Sequence, residues 1–254
     1  MTFALPVSSG LPWVLGIAMA LCAAPPLVAA DLSFNLVSIK PNLNPNSYPR
    51  MGSLPGGRFQ ATATLEALVI HAFGVDPLQV SGARGWIGKD RFDIDAKAEG
   101  APQKLSEEQF HQMLQVLLAE RFGLKTHKVS QEMSIYALVV GPKGTKLTPR
   151  TPESRPTPPP PPGKPVLMAL NLKGLSRALS SVSGRLVMDE TNLAGDYDIV
   201  LQYSVEAEPS APSQDARASA IIDAVQEQLG LKLVPRRAMV EMIVIDHAER
   251  PTAN

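Results

Sequence analysis

The sequence predicts an α+β fold in which helices pack on mainly antiparallel sheets. Three observations predict it: each half of the chain contains two helical stretches with an apolar face, strand-like alternation separates them, and the same order of elements occurs twice. The composition is that of a globular protein, since 44% of the 254 residues are hydrophobic and 19% are charged.

Each half opens with a helix that begins at a good N-cap residue. The first helix follows Thr64 and runs to Phe73, with Gly74 closing it, and the second follows Asn171 and runs to Leu179. After each helix comes a stretch with an aromatic residue, an aspartate and an isoleucine in alternation, at 90–95 and at 196–200. This pattern predicts a half-buried strand in both halves.

A second helix in each half ends at a Gly-Leu-Lys sequence. Ser106 and Gln109 form the capping box of the first of these helices, which carries one apolar face and ends before Gly123. Its counterpart runs from 218 to 229 and ends before Gly230. We expect a strand, a turn and a second strand after each glycine, the second strands covering 135–140 and 240–245.

The shared order and punctuation predict an internal duplication of a helix–strand–strand–helix–hairpin unit. A run of five prolines, Pro158 to Pro162, predicts a linker between the two copies. The predicted organisation is a signal peptide at 1–30, a first α+β repeat at 31–140, a Pro-rich linker at 141–165 and a second α+β repeat at 166–250.

The first thirty residues have the character of a secretory signal peptide. No charged side chain occurs before Asp31, the apolar core spans Leu11 to Leu21, and small residues precede a cleavage point after Ala30. The alternatives are an uncleaved anchor, although the apolar run is shorter than the roughly 20 residues that a span needs, and lipid attachment at Cys22. We expect an exported protein, periplasmic or extracellular, without a membrane span once the signal is removed.

Charge and cysteine content exclude several classes of function. Lys plus Arg and Asp plus Glu both number 24, so the chain has no basic excess that predicts nucleic-acid binding. The single cysteine, Cys22, lies in the predicted signal. The mature chain is therefore expected to contain neither a disulfide nor a thiol nucleophile.

Several motifs resemble those of a domain-of-unknown-function family that is abundant in exported proteins of soil Acidobacteria. The resemblance covers most of residues 33–250, and it rests on the segments 37–42, 57–59, 80–86, 91–98, 117–125, 195–198 and 244–247. Asn192 departs from the pattern, since the family more often has glycine there. The resemblance implies export and the repeated fold, and it implies no activity. Some relatives carry this domain beside a membrane-bound metallopeptidase sensor, which suggests an extracytoplasmic sensing or docking role.

Local motifs predict no catalytic residue, no cofactor and no metal site. The four histidines, His71, His111, His127 and His247, show no zinc-binding spacing. The sequence also lacks a Gly-x-Ser-x-Gly nucleophile elbow and a Gly-x-x-x-x-Gly-Lys phosphate loop.

One segment contains the residues that we single out as a candidate binding surface: Trp86, Arg91, Asp93 and Asp95. Strand alternation places Asp93 and Asp95 on the same face, about 7 Å apart, where they form either a calcium or acid–base pair or the solvated face of an amphipathic strand. Trp86 lies among glycines, where it either contacts a ligand or fills a gap in the core. Arg91 is expected to pair with a carboxylate.

The sequence therefore favours a non-catalytic binding, sensing or interaction module of the cell envelope, with an unknown protein or envelope ligand as its partner. A hydrolase whose site assembles only in three dimensions is the alternative, and a structural envelope component is the third. A deep pocket that holds His71 or His247 with a carboxylate favours the hydrolase. A shallow groove or an exposed sheet edge favours binding.

Overall fold

The computed structural model describes Met1 and residues 33–44, 46–100, 102, 105–151, 166–204 and 213–251. The predicted signal peptide and the run of prolines lie outside the described residues, so those two interpretations stay predictions. The described residues from 33 onward belong to one compact unit. Mixed α and β structure is confirmed, with antiparallel pairing in most of the sheets. No helix among the described residues combines the length and the apolar character needed to cross a membrane.

The first half contains a four-stranded antiparallel sheet with two helices packed on one face. In chain order its elements are β1 (Leu36–Asn42), β2 (Arg50–Leu54), β3 (Arg58–Thr64), α1 (Leu65–Phe73), β4 (Val80–Ser81), β5 (Arg91–Lys97) and α2 (Glu107–Phe122). The sheet has the strand order β1-β5-β3-β2, and β4 lies outside it. Strand β2 occupies part of the segment 41–57, which lacks the alternation that predicts a strand.

The helix boundaries in this half are those that the capping residues predict. The Thr64 hydroxyl accepts a hydrogen bond from the Ala67 amide, and Gly74 has a φ of 63° at the other end of α1. The capping box of Ser106 and Gln109 is present at the start of α2. These contacts satisfy amides that a helix N-terminus leaves without an intrahelical partner.

The second half has fewer strands and a smaller sheet. It contains β7 (Val166–Ala169), α3 (Leu172–Ser183), β8 (Val187–Asp189), β9 (Ile199–Gln202) and α4 (Gln214–Ala224), which continues as a π-helical turn (Val225–Leu229). Strands β7 and β9 pair antiparallel. Helix α3 extends past Leu179, where we expected its end, to Gly184 in the left-handed conformation.

The prediction of two hairpins is wrong. The chain continues after Gly123 as the single strand β6 (Lys125–Val140) and after Gly230 as the single strand β10 (Leu231–His247). Neither segment contains a Gly or Asn with which to make a tight turn. The two strands instead pair with each other, antiparallel, along nearly their whole length.

The long strands connect the two halves. Strand β4 of the first half runs parallel to β10, and β8 of the second half runs parallel to β6. One main core lies between the first sheet and helices α1 and α2, and the other surrounds α3, α4 and the β7–β9 pair. The element order strand, helix, short strand, strand, helix, long strand thus occurs twice. The internal duplication itself, with its boundaries at 31–140 and 166–250, stays a prediction.

Candidate functional site

The face of the first sheet that points away from α1 and α2 presents a grid of polar side chains. On β5, Phe92, Ile94 and Ala96 are buried against the helices, so the alternate residues Asp93 and Asp95 point to the other side. We call this side the outer face. It consists of residues 36, 38, 40 and 42 of β1, 91, 93, 95 and 97 of β5, 58, 60, 62 and 64 of β3, and 50, 52 and 54 of β2.

Asp93 is held by uncharged donors. Its carboxylate accepts hydrogen bonds from the Thr62 hydroxyl at 2.7 Å and from the Asn42 amide at 2.8 Å. These two hydrogen bonds lower the pKa of Asp93 below its ordinary range, and the bond from Thr62 has the larger effect. Asp93 is therefore ionised at neutral pH, with donors on both of its oxygens.

Asp95 is held by a cation and an amide on β3. The Arg58 guanidinium donates to both carboxylate oxygens, at 3.1 and 2.6 Å, and the Gln60 amide donates at 2.9 Å. The Arg58 contact is the main cause that lowers the pKa of Asp95. Neither aspartate is therefore placed to act as a general acid at neutral pH.

Arg91 organises a loop instead of forming the expected ion pair. Its guanidinium donates to the Ser47 carbonyl at 2.6 Å, and the side-chain oxygen of Asn42 accepts from the Ser47 hydroxyl and the Asn44 amide. These bonds hold the segment between β1 and β2. Beside it lies a cavity of about 490 Å³ that Arg91 lines together with Asp90 and Arg250.

Trp86 lies on the opposite side of the sheet from the two aspartates. Its ring packs edge-on against the buried Phe92, with centroids 6.0 Å apart, and the Arg250 guanidinium lies over it at 5.2 Å. Arg250 also donates to Asp90 at 2.8 Å. The structure thus brings Arg91, Asp93 and Asp95 together on the outer face and separates Trp86 from them.

The outer face also contains cations that our candidate set omitted. Lys40, Arg50 and Lys97 project from three different strands around the two aspartates, and no ion pair joins them to any described residue. The face borders a shallow depression of about 970 Å³. The alternation of Ser38, Lys40 and Asn42 on β1 was the sequence signal for Lys40, and that of Asp93, Asp95 and Lys97 on β5 was the signal for Lys97. Arg50 had no such signal, because β2 lacks strand alternation.

A second polar cluster joins α1 and α2 of the first half to α3 of the second. The rings of His71 and His111 lie 5.9 Å apart, and Lys173 donates to Glu107 at 2.6 Å beside them. Burial is the largest cause that lowers the pKa of both histidines, and for His71 the charges of His111 and Arg177 add to it. An adjacent cavity of about 230 Å³ is lined by Ser176 and Arg177 on α3. No hydrogen bond joins either histidine to a hydroxyl or thiol of another described residue.

The remaining histidines form exposed pairs on the surface. His127 contacts Asp246 at 2.8 Å, and the ring of His247 contacts Glu249 at 3.0 Å. All four side chains are more than two-fifths exposed. Within the part of the chain that the structure describes, no three His, Cys, Asp or Glu side chains come together in the way that a metal site requires.

The comparisons with known proteins identify one family. The profile described as "Protein of unknown function (DUF3738)" matches residues 66–248, which is more than half of the chain. The chain belongs to the DUF3738 family. The match begins within α1, so β5 is the one strand of the outer face that lies inside the DUF3738 region. No curated protein and no solved structure matches the chain.

Asn192 stands where the family more often has glycine, and its backbone conformation is one that glycine favours. Asn192 has a φ of 57°, and it is the one residue other than glycine with a positive φ among the described residues. Asparagine tolerates this left-handed conformation better than most residues, and glycine adopts it without cost. The departure from the glycine pattern therefore leaves the turn intact.

Proposed function

We propose that this DUF3738 protein is an exported module of the cell envelope that binds a partner through the outer face of its first sheet. One observation carries this proposal: the outer face is uncovered by other described elements, and hydrogen bonds fix Asp93 and Asp95 at its centre, between three cations that form no ion pair with a described residue. The side chains of this hydrogen-bonded centre are already held in place, so they lose little entropy when a partner binds. Lys40, Arg50 and Lys97 then remain available for that partner.

Export is supported by the signal-like segment at 1–30 and by the resemblance to exported proteins of soil Acidobacteria. We expect cleavage after Ala30 and a location in the periplasm or outside the cell. N-terminal sequencing of the protein recovered from periplasm and medium tests this. An N-terminus at Asp31 supports it, and recovery only from the cytoplasm with Met1 retained would refute it.

The hydrolase alternative has less support. It needs a pocket that holds His71 or His247 with a carboxylate, whereas His247 and Glu249 form an exposed pair. His71 and His111 lie near Glu107, but neither histidine lines the adjacent cavity. Activity of the mature chain on esterase, peptidase and glycosidase substrates tests this alternative. The hydrolase alternative is supported if the mature chain shows activity and the substitution His71→Gln or His247→Gln abolishes it.

A capture experiment tests the binding proposal. The mature chain, residues 31–254, is immobilised and exposed to envelope extract and spent medium, and the retained molecules are identified. The parallel variant carries Lys40→Glu, Arg50→Glu and Lys97→Glu. The control variant carries Lys125→Glu, Lys143→Glu and Lys232→Glu, which makes the same change in charge at exposed positions away from the outer face.

The outcome depends on the comparison between the two variants. We expect the wild-type and the control variant to retain the same specific partner and the outer-face variant to lose it. Equal retention by all three proteins would contradict the assignment of binding to the outer face.

A further inference from the structure

The outer face carries a local positive charge on a chain that is neutral overall. Its cationic side chains exceed its carboxylates, since Asp93 and Asp95 are the only acids on it. The cations are Lys40, Arg50, Arg58, Arg91 and Lys97. Arg58 is committed to Asp95 and Arg91 to the loop carbonyl of Ser47. Lys40, Arg50 and Lys97 form no ion pair with a described residue, although the charge of Arg50 also acts on Asp93. The ligand complementary to these cations is an anion.

The spacing of these three cations is wide. Lys40 and Arg50 lie at the two ends of the row that also contains Asp93 and Thr62, which is three strand spacings or about 14 Å. Lys97 is four residues along β5 from Asp93, again about 14 Å. A small anion such as phosphate is much shorter than this spacing between backbone positions. A linear polymer that carries negative charges at intervals can reach all three cations.

The groups between the cations suit a polyhydroxylated ligand. Ser38 and Gln60 place a hydroxyl and an amide group near the centre of the face, and the two aspartates add acceptor oxygens there. Gly52 has no atom within 4 Å of where a Cβ would lie, so the surface beside Gln60 is open. Sugar hydroxyls both donate and accept, so they match such a mixed surface.

The same features disfavour a nucleic acid. Duplex DNA carries a charge every ~1.7 Å along its axis, which would bring phosphates against Asp93 and Asp95. Single strands bind by stacking their bases on aromatic side chains, and the outer face has none. The apolar side chains on it are Leu36 and Leu54, at opposite ends of one row.

We infer that the outer face binds a linear acidic polysaccharide, a sugar chain that carries carboxylates at intervals. The carboxylates would pair with Lys40, Arg50 and Lys97, and the sugar hydroxyls would hydrogen-bond to the polar centre of the face. This inference rests on the proposed function and names its ligand class.

Binding of polygalacturonate to the mature chain tests the inference, with neutral dextran and a single-stranded oligonucleotide as the comparison polymers. The measurement is titration calorimetry at low and at physiological salt. We expect binding of polygalacturonate that weakens as salt is added, because exposed charge pairs are screened. We expect no comparable binding of dextran or of the oligonucleotide.

Two charge-reversal variants test whether polygalacturonate binds at the outer face. The outer-face variant Lys40→Glu, Arg50→Glu, Lys97→Glu is expected to bind at least about tenfold more weakly. The control variant Lys125→Glu, Lys143→Glu, Lys232→Glu is expected to stay within about twofold of the wild type. Thermal unfolding of each variant establishes that it is folded before binding is compared.

Several outcomes would overturn the inference: no binding of polygalacturonate by the wild type, equal binding of dextran or of the oligonucleotide, or equal weakening in both variants. The capture experiment separates this failure from failure of the proposed function. If the outer-face variant loses a captured protein partner while the wild type does not bind polygalacturonate, the proposed ligand class is wrong and the proposed binding surface is supported. If neither experiment depends on the outer face, both are wrong.

Discussion

At the residue scale, Asp93 and Asp95 differ in what they stabilise although they lie two positions apart on β5. Asp93 is the acceptor for the hydroxyl of Thr62, a residue that is only 3% exposed. Asp95 pairs with the Arg58 guanidinium, and both of these side chains are nearly half exposed. A buried donor that loses its acceptor costs more than an exposed ion pair that is broken.

We therefore predict that Asp93→Ala lowers the free energy of unfolding by about 1–3 kcal/mol, because it leaves the buried Thr62 hydroxyl without its acceptor. Asp95→Ala is the matched control and is expected to cost less. Urea unfolding of both variants at neutral pH measures the difference. Equal losses, or a larger loss for Asp95→Ala, would refute this description of the face.

A second prediction concerns His71 and His111, whose pKa values in the folded protein lie below the ordinary 6.5. Below that pH the unfolded chain binds more protons than the folded chain, so the free energy of unfolding falls. The contribution of the histidines is complete above pH 6.5 and is lost as the pH drops from 6.5 to their folded pKa values. The lowered pKa values of Asp93, Asp95 and Glu107 act at lower pH.

Urea unfolding at pH 7.5 and at pH 5.5 measures this effect. We expect the wild type to lose stability between these pH values, and the double variant His71→Gln, His111→Gln to lose less, because glutamine does not titrate. The slope with pH is the quantity compared, since the substitutions also change packing. An identical slope in both proteins would show that other groups cause the pH dependence.

At the element scale, local sequence signals predict helices better than they predict strand pairing. Thr64, Ser106, Gly74 and Gly123 act within a few residues of themselves, and each helix end that they predict is present. The pairing of β6 with β10 joins residues about a hundred positions apart, which no local pattern encodes. For this reason the sequence predicted two local hairpins where β6 and β10 pair with each other.

The same limit applies to the candidate site. Alternation along β5 was sufficient to place Asp93 and Asp95 on one face, because it is a property of a single strand. The side on which Trp86 lies depends on how the segment 85–88 folds back against Phe92. The grouping of Lys40, Arg50 and Lys97 depends on the three registers between the four strands of the sheet, which the sequence alone does not specify.

A prediction at this scale concerns Gly82, which follows β4 where it runs parallel to β10. Gly82 has a φ of 83°, and a Cβ there would collide with the Ile245 carbonyl. Gly85 also has a positive φ, 62°, but has open space around it. Gly82→Ala is therefore expected to lower the free energy of unfolding by more than about 1 kcal/mol relative to the wild type. Gly85→Ala is expected to lower it by less.

Thermal and urea unfolding of the two alanine variants tests the close approach of β4 to β10. Gly85→Ala reports the backbone strain alone, so the difference between the variants reports the collision. If both variants lose the same stability, β4 does not pack against β10 as the structure describes.

At the scale of the whole molecule, each half contributes residues to the core of the other. Ile243 and Ile245 of β10 are buried with α1 and α2, and Leu138 of β6 is buried with α3 and α4. Burying an isoleucine contributes about 1.5–3 kcal/mol. That is a large part of the 5–15 kcal/mol by which a domain is stable.

We therefore predict that residues 31–140 alone do not fold, because that fragment lacks Ile243, Ile245 and the strand that pairs with β6. Circular dichroism and urea unfolding of the fragment and of residues 31–254 measure this. We expect a cooperative transition in the long protein and none in the fragment. A cooperative transition of the fragment would mean that the first repeat is an independent domain.

The central claim is that the outer face of the first sheet is where a partner binds. Amine acylation of the mature chain, with and without the captured envelope fraction, tests it most directly, because exposed lysines lie both on and off this face. We predict that the partner protects Lys40 and Lys97 and leaves Lys125, Lys143 and Lys232 reactive. Protection of the latter three with Lys40 and Lys97 still reactive would place binding elsewhere and contradict the claim.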